Sequence, residues 1–157
     1  TFDKGSGSVA RRRFPDRVTA KLYERLSPHM GIIGWIIIGG LAAAALAVNN
    51  QRDVAHDAMV GRRTFPVAFG AAAGQRLYAL LLLGPFALTP LIALLARAPL
   101  LLLPLLLLPS AWALRRDFIA CPPGLPFNAV LFRTFKLELV YAVLLACGAV
   151  LDRLWAG

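Results

Sequence analysis

Acidic side chains are scarce in this chain: eight Asp and Glu face seventeen Lys and Arg, for a net charge of +9 over 157 residues. The basic residues are spread between apolar stretches and form no recognised nucleic-acid module, so a DNA- or RNA-binding reading is excluded and anionic headgroups or phosphates are the expected partners. Cysteine is nearly absent. Cys121 falls in a loop and Cys147 in an apolar run, which excludes a disulfide scaffold and leaves two small apolar thiols. His29 and His56 stand alone and make no ligand pattern with those thiols. Charge is missing altogether from several long stretches, and with 59% hydrophobic residues and a mean hydropathy of +0.67 an ordinary soluble domain is excluded as well.

What remains is an all-α integral membrane bundle with four transmembrane helices. Met30 to Val48 is apolar throughout and long enough for one span. Its glycines and alanines (Gly31, Gly34, Gly39, Gly40, Ala42 to Ala45) give it a small face that suits close helix packing in lipid. Gly70 to Gly74 reads as a small-residue connection. Leu77 to Ala96 is the second span, where Pro85 and Pro90 predict a kink. Ala98 to Leu114 is the third, carrying Pro99, Pro104 and Pro109 and joined to the second by a tight turn. Trp112 fits an interfacial aromatic belt. Arg115 to Phe127 reads as a loop and Asn128 to Leu154 as the fourth span. Glu138 is the acid nearest membrane depth, read as snorkelling to the interface, with a place in a pocket as the alternative.

Residues 1–29 read as a basic, flexible extension containing a short surface helix at 18–26, ahead of a domain at 30–157. No signal-peptide pattern precedes the first span. Four spans place the loops at 51–76 and 115–136 on one side. These loops hold eight positive residues against two on the other side, which makes them cytoplasmic by the positive-inside rule; the seven positives of the extension bring the count to nine against eight and cancel the bias.

The chemistry concentrates at the end of the first span, in Asn49-Asn50-Gln51-Arg52-Asp53-Val54-Ala55-His56-Asp57-Ala58-Met59-Val60-Gly61-Arg62-Arg63-Thr64. Asp53 and Asp57 are spaced i, i+4, which on a helix sets them on one face with Cβ atoms about 5–6 Å apart. Two carboxylates so placed suit a hard cation such as Mg²⁺, which takes a few carboxylate oxygens, water and substrate phosphate oxygens. Arg62 and Arg63 follow one turn and a glycine later, and a guanidinium fork matches phosphate. His56 lies off the Asp53/Asp57 face and reads as a loop residue. The pattern predicts a magnesium–diphosphate site at a membrane surface.

The string N-N-x-R-D-x-x-x-D-x-x-x-G-R-R-T-x-x-V-x-x-G resembles the second aspartate-rich motif of the UbiA superfamily of intramembrane prenyltransferases, and within it the 1,4-dihydroxy-2-naphthoate polyprenyltransferases of menaquinone biosynthesis. Arg62 stands where that family has Lys, and Asn128-Ala129-Val130 resembles its N-P-V at the last helix. The resemblance runs from about Gly31 to Leu154 and implies helices six to nine of a nine-helix fold in the cell's inner membrane. It makes Asp53 and Asp57 catalytic magnesium ligands, Arg62 and Arg63 diphosphate contacts, and Asn49, Asn50 and Arg52 the polar end of the substrate pocket. A pairing of Arg52 with acids one turn away (i, i+4) or with headgroups is an equal alternative. The substrates implied are a prenyl diphosphate and an aromatic quinone precursor, with membrane lipids around them. Phe86, Tyr78 and Phe132 are candidates for an isoprenoid tunnel or for plain lipid-facing packing. The family's first motif, of N-D-x-x-D form, does not occur in this sequence. The resemblance therefore implies either half an active site that needs a missing N-terminal half, or a non-catalytic membrane subunit or remnant; a different aromatic acceptor is also open.

Overall fold

The computed structural model describes residues 30–156. The extension at 1–29, with the surface helix expected at 18–26, lies outside the described residues. The described chain is helical, with no strand among its residues, and four stretches are long and apolar enough to cross a membrane: Ile32–Arg52, Ala71–Ala96, Pro99–Ala120 and Phe127–Trp155. The expected all-α membrane bundle is therefore present. Helix α1 is Met30–Arg52, α2 Val54–Met59, α3 Phe65–Phe69 and α4 Ala71–Ala96; a 3₁₀ segment, Pro99–Leu107, leads into α5, Leu108–Ala120, and α6 is Phe127–Ala156.

Helix α1 is apolar on every side up to Val48, so lipid alone would not orient it. Its buried face is a mixed one and not the small face expected: Ile37, Leu41, Ala44, Ala45 and Val48 are enclosed, while Gly39 and Ala42 are exposed alongside Trp35, Ile36, Ile38 and Leu46. That face lies against α4 and α6. Helix α4 begins at Ala71, so Gly74 belongs to the helix and not to a connection as expected. A Cβ on Gly74 would stand 2.5 Å from Gln51 Oε1 and 3.3 Å from Pro66 Cβ; the missing side chain lets α4 close on the end of α1.

Pro85 and Pro90 sit inside α4 without ending it. Proline removes an N–H, so Pro85 and Pro90 leave the Leu81 and Phe86 carbonyls without their usual helical donors; the side-chain hydroxyls nearby converge instead on the Pro85 carbonyl between them. Thr89 Oγ1 donates to the Pro85 carbonyl at 2.8 Å and meets the Tyr141 hydroxyl at 2.5 Å, while that hydroxyl also reaches the Pro85 carbonyl at 3.3 Å. A second buried pair, Tyr78 Oη and Thr134 Oγ1 at 3.0 Å, joins α4 to α6 nearer the other end. Around it Tyr78 stacks on Phe118 at 4.0 Å, and Phe118 meets Phe127 edge-on at 5.2 Å. Tyr78 and Phe86 are thus buried core residues, whereas Phe132 is exposed.

The third span departs most from expectation. Arg97 closes α4 in the left-handed region (φ 52°), with Ala98 N–H donating to Ala93 O at 3.0 Å. Pro109 falls in the first turn of α5, while Pro99 opens, and Pro104 sits within, a nine-residue 3₁₀ helix, longer than such helices usually run. Helix α6 stabilises it from outside. Asp152 Oδ2 accepts from Leu100 N–H at 3.0 Å, and Gly148 packs directly under the Leu100 carbonyl. Residues Arg115 to Ala120, expected in a loop, continue α5; the Arg133–Asp117 ion pair then ties α5 to α6.

The loops after α1 and before α6 share one end of the bundle, because Arg52 Nη1 donates to Asn128 Oδ1 at 3.0 Å. In a cysteine-free background, Ala55→Cys and Leu125→Cys should therefore label from the same side of sealed vesicles. Leu125 is the better probe in its loop, since Gly124 has a positive φ (109°) that a side chain would strain. Labelling from opposite sides would refute the four-span arrangement.

Candidate functional site

Helix α1 runs past its apolar core into Asn49, Asn50 and Arg52 and then breaks at Asp53, whose backbone (φ −96°, ψ 8°) leaves helical geometry for one residue. The i, i+4 bond across the break survives: Asp57 N–H donates to Asp53 O at 2.9 Å. The break therefore turns α2 without moving Asp53 and Asp57 off the same side. His56 is in α2, exposed, and not in a loop as expected.

Helix α2 ends in a Schellman turn. Gly61 takes φ +73°, its N–H donates to Ala58 O at 3.3 Å, and Arg62 N–H folds back to Asp57 O at 2.8 Å. This explains the glycine before the doubled arginine: the reversal returns Arg62 to the carboxylate it follows by five residues. Arg62 Nη1 lies 3.5 Å from Asp57 Oδ1. The two side chains differ sharply in exposure, 4% for Asp57 and 72% for Arg62. Asp57 is held in the fold while its guanidinium partner is loosely engaged and faces outward.

Asp53 has a different environment. Arg52 grips it through two bonds, Nε to Oδ1 and Nη2 to Oδ2, both at 2.8 Å, and its remaining nitrogen holds Asn128. The Arg52 hydrogen bonds hold the Asp53 carboxyl below the usual carboxylate range, against a smaller opposing effect of burial. Because that folded-state pKa is depressed, the pair's contribution is present above the unfolded value and lost as pH falls through the folded one. Arg52 thus both lines the cleft and pairs with an acid, though its partner is the adjacent residue and not one a turn away.

All seven predicted site residues come together. Asn49, Asn50, Arg52, Asp53, Asp57, Arg62 and Arg63, with Thr64 and Leu46, line one open cleft of about 560 Å³ at the polar end of the bundle. Comparison with family models, curated proteins and solved structures finds no match to this chain. The donor set must therefore be judged on its own chemistry. Among the described residues no cluster of three or more His, Cys, Asp or Glu side chains forms a metal cage. Mg²⁺ does not require one, since it is usually bound by one or two carboxylates, water and substrate phosphate. Each carboxylate also retains acceptor capacity beyond its arginine contacts. The two aspartates beside two arginines fit a cation shared with a phosphate.

The sequence reading missed Gln51, which is 4% exposed and faces Gly74 and Pro66 with Oε1 unpartnered. Its place three residues after Val48 and seven after Ala44, on the buried stripe of α1, was the available signal. Glu138 does not reach the cleft. It borders a separate apolar groove of about 680 Å³ between α1 and α6, with Oε1 enclosed and unpartnered, so it does not snorkel free of the bundle as expected.

Proposed function

We propose that this chain supplies the metal–diphosphate half of an intramembrane prenyltransferase site. The complete reaction moves a polyprenyl group from a prenyl diphosphate to an aromatic acceptor, with 1,4-dihydroxy-2-naphthoate as the acceptor the motif resemblance favours. The observation that carries this reading is the convergence of Asn49, Asn50, Arg52, Asp53, Asp57, Arg62 and Arg63 on one cleft at the polar end of the bundle. Asp53 and Asp57 would hold Mg²⁺, which when bound supplies charge neutralisation for a departing diphosphate. Arg62, exposed and only loosely tied to Asp57, is available to phosphate oxygens, and Arg63 stands beside it on the rim. Arg52 fixes the orientation of Asp53, and Asn49 and Asn50 offer amide donors and acceptors to the polar end of a substrate.

A structural reading has its own support: Arg52 engages both oxygens of Asp53 and bridges to Asn128, which is what a helix-end clasp would do. One experiment separates the two. Expressed alone with Mg²⁺, a prenyl diphosphate and dihydroxynaphthoate, the chain should give no prenylated product. Co-expressed with a first half bearing an N-D-x-x-D motif, it should restore turnover, and Asp53→Asn should abolish what is restored. Arg62→Lys should be milder, because a point charge remains although the bidentate fork is lost. Turnover by the isolated chain, or full activity of the Asp53→Asn pair, would exclude the half-site reading.

A further inference from the structure

A groove of about 720 Å³ runs between α4 and α5, away from the aspartate cleft. Its walls are apolar, with Leu83, Phe86, Leu108 and Trp112 among them, and one guanidinium, Arg116, stands on its rim. Three observations set the charge at its mouth. Arg115 is stacked over the Trp112 ring at 5.2 Å, which fixes it against the groove wall. Asp117, the next acid in sequence, is taken by Arg133. No carboxylate lines the groove, and Arg116 has no acidic partner among the described residues. Helix α5 ends at Ala120, so Arg116 lies about 6 Å below that end, at a helical rise of about 1.5 Å per residue. This depth suits a guanidinium at headgroup level with its stem along the apolar wall.

We propose that this groove is a binding site for an anionic phospholipid, with one acyl chain between α4 and α5 and the phosphodiester on Arg116. A hydrocarbon chain satisfies the apolar walls. A net negative headgroup compensates the Arg116 and Arg115 pair, whereas a zwitterionic lipid brings its own cation to a mouth that already has two. Trp112, half exposed on the wall, marks the depth at which chain and headgroup meet. The site requires nothing of the aspartate cleft and stands or falls independently of the proposed reaction.

Trp112 also supplies the probe. Trp35→Phe and Trp155→Phe leave it as the sole tryptophan of the chain. The full-length protein would be placed in nanodiscs of mixed phosphatidylglycerol and phosphatidylcholine of matched chains, with bromine on the chains of one lipid at a time. Quenching of Trp112 then reports which lipid occupies the groove. Phosphatidylglycerol should be favoured about fivefold, the ratio expected for one added arginine contact at the membrane surface. The preference should shrink as salt is raised. Arg116→Gln should bring the ratio near one, and Arg116→Lys should keep most of it. Equal quenching by the two lipids in the wild type would overturn the proposal, as would a preference unchanged in Arg116→Gln. Should that variant fail to fold, the wild-type ratio and its salt dependence decide alone.

Discussion

Gly148→Ala should destabilise the bundle more than any other glycine-to-alanine change among the described residues. A Cβ at this position would overlap the Leu100 carbonyl oxygen and lie 2.7 Å from its carbon and 3.1 Å from Leu101 N. All three are backbone atoms, so no rotamer change relieves the clash. The 3₁₀ segment must move away from α6, which also pulls Leu100 N–H from Asp152 Oδ2 one turn further along. Overpacking of a tight core commonly costs about 1–3 kcal/mol, and the lost bond adds to it. Close packing matters more here than in water, because lipid tails are as apolar as the helices and give no hydrophobic reward for association. Gly34→Ala, Gly39→Ala and Gly84→Ala are the controls. An added Cβ at these positions meets nothing within 4 Å, and replacing a mid-helix glycine with alanine favours the helix by about 0.5–1 kcal/mol. Thermal denaturation in detergent should show Gly148→Ala several degrees below the wild type and the controls at or above it. A Gly148→Ala protein as stable as the wild type would show that α6 and the 3₁₀ segment are not in contact.

These glycines show where the sequence stops being readable. Span-length apolar runs bounded by charge identify the four helices, because only helices satisfy their own backbone in lipid. Gly34 and Gly148 look alike in sequence, both inside apolar runs, and only the path of the chain from Leu100 to Leu107 distinguishes them. That path was hidden because leucine and proline at 99–109 suit a kinked α-helix as well as a 3₁₀ helix. Uniformly apolar helices also lack the polar face that orients a helix in water, so Tyr78 and Phe86 gave no sign that they face inward. The cleft was far more legible. Its residues come from one continuous string, and local rules place them: i, i+4 for the aspartates, and a glycine turn that returns Arg62. The Arg52–Asn128 bridge was beyond reach, since nothing local connects residues 76 positions apart.

A large effect on ligand binding by the chain itself is expected at Asp57. It is 3% exposed and lines the cleft opposite solvent-facing Arg62. Asp53 shares its carboxylate with Arg52 through two bonds, so Asp57 is the anion with more capacity to give. Asp57→Asn keeps the shape and removes the charge. Binding of a short prenyl diphosphate such as geranyl diphosphate in the presence of Mg²⁺, followed by calorimetry on the purified chain, should weaken by tenfold or more, the size expected when a charge-assisted contact worth about 1.5–3 kcal/mol is lost. This measurement needs no turnover, so it tests the cleft without a second half. Gly61→Ala provides a control that changes no charge. At φ +73° an alanine costs about 1–2 kcal/mol, and the turn that returns Arg62 N–H to Asp57 O should loosen. Diphosphate affinity should then fall although every charged group is still present. Magnesium dependence should disappear in Asp57→Asn but persist in Gly61→Ala, because the second change displaces the arginine and leaves both carboxylates. If Asp57→Asn binds magnesium–diphosphate as tightly as the wild type, the cleft is a helix-end clasp and the assignment of Asp57 as a metal ligand is wrong.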